Sequence, residues 1–291
     1  MQPTKLADKV ILVKLTMRRA SLTKRDAYLS DKIQRQEGDT SLTVLTKLFK
    51  SKDNPIAQIM SKYTDVYAYH KKHTLPYVDA GPRILPNDLY FEYTQETKHR
   101  IAMMDNLKRN YMPHYDQLVL EDVAYRNSGH AAGRACVGDY PTASQFDQSM
   151  SIDIKFQPMP DSRHFLFDLS EDDLKSFQQS EHEAAEAMNM DTIARMLKPL
   201  SALTQRLQEY QGQKGERFHN SLVENVIEGC DIAIKLAINP TQELIDEINI
   251  LKATATGCLD TVEVIKGSAN ARHNAKAKLE AVAARMAAFN I

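Results

Sequence analysis

Ile193, Met196, Leu200, Leu203, Leu207 and Tyr210 step along the chain by 3, 4, 3, 4 and 3 residues, the spacing that keeps one stripe of a helix turned toward a neighbouring helix. A chain with such a packing seam has to bury it, so this stretch commits its surroundings to helix-on-helix packing. Upstream, the Ser170 hydroxyl suits a helix cap, and Glu171, Asp172 and Asp173 suit the positive end of a helix dipole. From Ser170 to Gln211 is 42 residues, about 63 Å of helix at 1.5 Å per residue. Pro199 interrupts it at a cost of about 3 kcal/mol, so a kink, or a break with Pro199 opening a second helix, is expected.

Gly212 and Gly215 punctuate a short connection, which implies antiparallel neighbours. Phe218, Leu222, Val226, Cys230, Ala233 and Leu236 line the next helix. Asn239 and Pro240 restart another, with Leu244, Ile248, Leu251, Ala255, Leu259 and Val262 on its face. Gly267 ends it, and Leu279, Val282, Met286 and Phe289 mark the last.

The first half is mixed. "KVILVKLTM" at Lys9 to Met17 reads as a strand, and Leu42, Leu45, Leu48 and Phe49 lie at helical spacing, so a short amphipathic helix is expected there. Asn54 and Pro55 open a helix with Ile56, Ile59, Met60, Tyr63, Val66, Tyr67 and His70 on one face. "LPYVDAGPRILP" reads as a loop, and Asn87 to Tyr125 as a long helix kinked at Pro113. Around the turn "QPMPDS", Ile152, Ile154 and Phe156 on one side and Phe165 and Phe167 on the other alternate as a β-hairpin. Such a hairpin needs a third strand or a helix, and the N-terminal strand is the obvious partner. The expected fold is α+β, mainly α: an elongated antiparallel helical bundle or coiled coil with a small antiparallel sheet of the N-terminal strand plus the central hairpin. The expected domains are a basic, mixed strand/helix part over 1–145 and hairpin plus bundle over 146–291.

Charge is uneven along the chain. Residues 1–110 hold 20 Lys and Arg against 12 Asp and Glu, net +8, and the remainder holds 17 against 26, net −9. Such a split lets the halves attract each other or a neighbouring copy, or marks a surface for nucleic acid on the basic part. The candidate nucleic-acid residues are Tyr69, His70, Lys71 and Lys72, which combine aromatic surface with positive charge, and Arg18, Arg19, Lys24 and Arg25 after the first strand.

Other chemistries find no pattern. Cys136, Cys230 and Cys258 are odd in number and widely spaced, so they read as small buried apolar side chains. "GQKGER" lacks phosphate-loop spacing, and His182 and Glu186 share a helical face without the second Glu-x-x-His set of a carboxylate di-metal bundle, so no cofactor and no metal is expected. No nucleophile stands in an elbow or triad context, so the expectation is a non-enzymatic protein. Without a signal-like start or a membrane-length apolar run, the expected place is the cytoplasm of a bacterial or phage-infected host cell.

Gly81, Arg83, Leu85 and Pro86 of "GPRILP", then Asp139 to Pro141 as "DYP", then "PMP" and a long helix resemble a family carried by phages, plasmids and integrative elements. The resemblance covers residues 60–210. It implies an adaptor or scaffold working with a MoxR-type AAA+ ATPase and a von Willebrand factor A protein, whose genes sit beside those of the family, and it carries no catalytic residues. The alternatives are a self-assembling phage structural or host-takeover protein, a homo-oligomer, and a nucleic-acid binder using the basic N-terminal part.

Overall fold

A computed structural model describes residues 6–49, 51, 53–77, 81–129, 134–160, 171–213, 215–238 and 240–287, without the side chains of 171, 174, 177, 178, 181 and 185. In chain order the elements begin with β1 (Val10–Arg18), β2 (Thr23–Arg25), α1 (Ala27–Glu37), β3 (Leu45–Lys47), α2 (Pro55–Lys72) and β4 (Arg83–Pro86). Then come α3 (Tyr90–Tyr111), α4 (Tyr115–Gly129), α5 (Ala143–Ser149) and β5 (Ser151–Pro158). The remainder is helical: α6 (Glu171–Glu209), α7 (Ser221–Leu236), α8 (Gln242–Asp260), α9 (Val262–Gly267) and α10 (Ala269–Ala287). The fold is α+β and mainly α.

The chain forms two compact units, neither of them continuous. One comprises Met1–Lys14, Lys71–Phe91 and Phe156–Ile291, the other Leu15–His70 and Glu92–Lys155, so a single cut between 145 and 146 does not describe them. Counted by unit, the charges are 20 basic against 23 acidic in the first and 17 against 15 in the second, net −3 and +2. The contrast of +8 and −9 along the sequence is therefore largely averaged away by folding, because each unit draws on both parts of the chain.

The sheet order is β4-β1-β5, with β1 central. β4 pairs antiparallel with β1, Val10 opposite Pro86 and Val13 opposite Arg83. This corrects the reading of "GPRILP" as a loop. Proline is tolerated there because β4 is an edge strand that ends at Pro86, where no ladder donor is needed. The second strand of the expected hairpin, Phe165 to Phe167, and the Ser170 cap lie outside the described residues. A second correction concerns Leu42 to Phe49: Leu45–Lys47 is strand β3, paired antiparallel with β2, and the nearby helix is α1 instead. Asp26 caps α1 by accepting from the Leu29 amide, and Gly38, at φ 69°, ends it.

In the first unit Ile193, Met196, Leu200, Leu203 and Leu207 are buried and Tyr210 packs beside them. They meet Val223, Val226, Cys230 and Ala233 of α7, Ile248, Leu251 and Ala255 of α8, and Leu279, Val282 and Met286 of α10. Each buried Val, Leu, Ile or Met among them contributes about 1.5–3 kcal/mol. α6 runs through Pro199 as one helix, so of the two expected outcomes, a kink or a break, the break does not occur. The face expected to run unbroken to Gly267 is instead divided at Thr261 into α8 and α9. A smaller core joins Val10 and Leu12 of β1 to Leu75, Ile84, Met159, Met188, Ile232 and Leu236.

Arg195 anchors the chain that enters this unit. Its guanidinium donates to the carbonyls of Lys71 (3.0 Å), Lys72 and Thr74 (2.8 Å), while its Nε donates to Asp191 at 2.8 Å. Arg83 donates to the same buried Thr74, at Oγ1 (2.7 Å) and at the carbonyl (2.8 Å).

The second unit has its own core, Ile56, Ile59 and Tyr63 of α2 against Phe49, Met104, Tyr115, Leu118, Val119, Tyr140, Phe146 and Met150. The expected long helix is interrupted at Met112–His114 by a 3₁₀ turn around Pro113.

Candidate anion cleft in the second unit

Residues 23–26 leave a two-stranded ribbon and enter α1 directly. The ladder sets Lys24 opposite Thr46 and Arg25 opposite Leu45. The Asp26 amide donates to the Val44 carbonyl at 2.9 Å, and the buried Ser30 hydroxyl bridges from the Asp26 carbonyl (2.6 Å) to the Val44 amide (3.0 Å). The start of α1 is thereby fixed to the ribbon.

α4 supplies the opposite wall. One turn apart on it, Asp122 and Arg126 are both buried. Asp122 Oδ2 accepts from the Phe49 amide at 2.8 Å and from the Tyr140 hydroxyl at 2.6 Å, and that hydroxyl accepts from Arg126 Nη1 at 3.2 Å. Asp122 holds the amide of a residue in the left-handed region, since Phe49 has φ 50°. Burial, and next its bond to Asp122, pushes the Tyr140 phenol well above its usual range.

Asp139 lies on a 3₁₀ turn after α4 with its side chain 3% exposed; it pairs with Lys24, stands 3.6 Å from Arg126, and accepts from the Cys136 amide (3.2 Å) and thiol (3.1 Å). Burial alone would raise its pKa, but the bonds from Lys24 and Cys136 hold it below the usual carboxylate range. Asn127 exchanges two 2.9 Å bonds with Ala135, which fixes the backbone beside Arg134. The Arg134 guanidinium lies 4.7 Å from the Tyr28 ring centre and 3.6 Å from Asp26. Between these walls is a cleft of about 270 Å³.

Of the residues singled out in the sequence, Lys24 and Arg25 line this cleft. Arg18 and Arg19 are exposed, and Arg19 borders a separate hollow with Lys47, Leu48 and Met60. Tyr69 and His70 are 8% and 4% exposed, so their rings belong to the interior and do not present a stacking surface. His70 Nδ1 lies 2.7 Å from the Tyr93 hydroxyl, Tyr69 stacks on Tyr93, and burial pushes the Tyr69 phenol up to about 12. Lys71 and Lys72 fall in the other unit, where Lys72 pairs with Glu228. With the Tyr69 and His70 rings buried, the tract "YAYHKKH" does not interleave aromatic and basic groups on its exposed side as expected. His182 and Glu186 meet at 3.3 Å on an exposed face, and among the described residues no three metal-ligating side chains gather. Among them, too, no helix is long and apolar enough to cross a membrane.

Arg126, Arg134, Asp122, Asp139, Tyr140 and Tyr28 escaped the sequence reading as site residues. One local signal was available, the i, i+4 spacing of Asp122 and Arg126. No family model, curated protein or solved structure matches the chain.

Proposed function

We propose that the protein is a non-enzymatic helical scaffold or adaptor of phage or mobile-element origin. On this reading it works in the cytoplasm and docks a protein partner, the MoxR-type AAA+ ATPase implied by its family resemblance, through the surface around the Arg134 cleft. One arrangement supports it: Tyr28 and Leu45 are 59% and 62% exposed, Arg134 stacks over Tyr28, and Arg25 sits opposite Leu45 in the ladder. Tyrosine and arginine are the side chains that most often carry binding energy at protein interfaces, and an exposed leucine beside them adds apolar area to cover. The α6 seam, running as an elongated antiparallel coiled coil with its neighbours, is on this reading the stiff body of the first unit.

The test mixes the purified protein with the purified ATPase and its nucleotide, and follows complex mass by light scattering on a sizing column. A complex of fixed stoichiometry, weakened about tenfold or more in Tyr28→Ala and Arg134→Ala, is the expected result. Absence of any complex sinks the reading. Self-assembly, the first alternative, predicts large particles that dissolve as salt rises; the near balance of charge within each unit gives it little drive. Nucleic-acid binding, the second, predicts a salt-sensitive gel shift lost when Arg18, Arg19, Lys24 and Arg25 are neutralised. The exposure of these four side chains is what favours it.

A further inference from the structure

The cleft at the start of α1 has a property that docking does not require. Its walls carry four cations, Lys24, Arg25, Arg126 and Arg134, against two carboxylates, Asp26 and Asp139, an excess of two positive charges. Asp122, joined to Arg126 through the Tyr140 hydroxyl behind the wall, offsets part of that excess, and Arg25 and Arg134 carry the rest. Asp139 is taken by Lys24, Arg126 and Cys136, and Asp26 gives one oxygen to the Leu29 amide while the other stands 3.6 Å from Arg134. Arg25 has no acidic partner among the described residues.

Arg126 backs this wall: its side chain is 5% exposed and its Nη1 donates to the Tyr140 hydroxyl at 3.2 Å. The Ala27 and Tyr28 amides add two first-turn N–H groups that no preceding helical carbonyl can reach, together with the positive end of the α1 dipole.

We propose that this cleft binds a phosphate monoester dianion. Such a group carries a charge of about −1.5 to −2 at neutral pH, which suits a wall of net positive charge, and its three terminal oxygens suit guanidinium and backbone donors together. The phosphodiester of a nucleic acid carries a single charge per phosphate and matches less well. A phosphorylated side chain of a partner and a small phosphorylated metabolite share the monoester, so the assignment does not depend on the docking reading.

Calorimetric titration of the full chain with inorganic phosphate, a phosphoserine peptide, AMP and a short oligonucleotide tests it. Saturable one-to-one binding of inorganic phosphate is expected, weakened about tenfold in Arg134→Ala and in Arg25→Ala. It should weaken further as pH falls through the second phosphate pKa near 6, with unfolding midpoints close to that of the parent as the control for folding. Tighter binding of the phosphoserine peptide assigns the site to a protein partner, and tighter binding of AMP to a metabolite; both uphold the proposal. If Arg134→Ala unfolds, Arg134→Gln takes its place. Absence of saturable binding, binding unchanged in the variants, or preference for the oligonucleotide overturns it.

Discussion

A β-carbon built on Gly229 of α7 would stand 2.8 Å from the carbonyl oxygen of Arg195 in α6. That carbonyl is the one whose helical partner would be the amide of residue 199, and residue 199 is proline, whose Cγ would lie 3.6 Å from the same β-carbon. The proline removes the donor, and the glycine lets the next helix come in close enough to turn only hydrogen toward the bare oxygen.

Gly229→Ala should therefore destabilise the protein by about 1–3 kcal/mol, because the clash is with backbone and outweighs the gain in helix propensity. Gly257→Ala in α8, where an added β-carbon meets nothing within 4 Å, should instead stabilise by up to about 1 kcal/mol. Urea midpoints of the two variants should shift in opposite directions.

Arg195→Ala should cost about 2–4 kcal/mol, since the carbonyls of Lys71, Lys72 and Thr74 lose a shared donor. Arg195→Lys should recover little of it, because an ammonium cannot reproduce a planar fork that reaches several acceptors. Equal midpoints for Arg195→Lys and the parent in chemical denaturation would refute the fork.

Asp122→Ala should cost about 3 kcal/mol by stranding the Phe49 amide and the Tyr140 hydroxyl and by removing a nearby anion from buried Arg126. Tyr140→Phe should cost less, about 1–2 kcal/mol: Asp122 keeps the Phe49 amide, while Arg126 Nη1 loses its acceptor. Thermal unfolding of the pair ranks them.

Cys136 is exposed and Cys230 and Cys258 are buried, so a thiol reagent at mildly alkaline pH should label one cysteine quickly and the other two only on unfolding. Mass spectrometry of tryptic peptides reads the site directly.

Burial pushes the Cys230 thiol and the Tyr115 phenol up to about 12 each, from unfolded values of 9.0 and 10.0. Both groups are neutral when protonated and stay so longer in the folded chain. Their contribution is whole below pH 9, and it falls as pH climbs from 9 toward 12, where the unfolded chain has already released those protons. Urea midpoints should be flat just below pH 9 in this respect and decline above it; a midpoint that rises across that range would exclude the mechanism.

The seam at Ile193 to Leu207 was legible because three-and-four spacing has one reading at that length, and so was the interruption at Pro113. Leu42, Leu45 and Leu48 misled because three leucines three residues apart mimic a helix, whereas ribbon pairing to residues 23–25 decided the local structure. Pro86 hid β4, since a proline-bounded tetrapeptide carries no strand signal of its own. Half of the cleft was visible as Lys24 and Arg25. The other half was not, because Asp139 lies 115 positions from Lys24 and no local spacing reports a pair that distant.

The order β4-β1-β5 also bears on how the chain is made. β1 ends at Arg18, its one neighbour begins at Arg83 and its other at Ser151, so the middle strand is synthesised long before either flank exists. Until then "VILVKL" has both backbone edges open, a greasy ribbon able to pair with the same segment of another nascent chain. Slow translation or a scarcity of chaperones would therefore be felt first at this strand, as inclusion bodies seeded near the amino terminus.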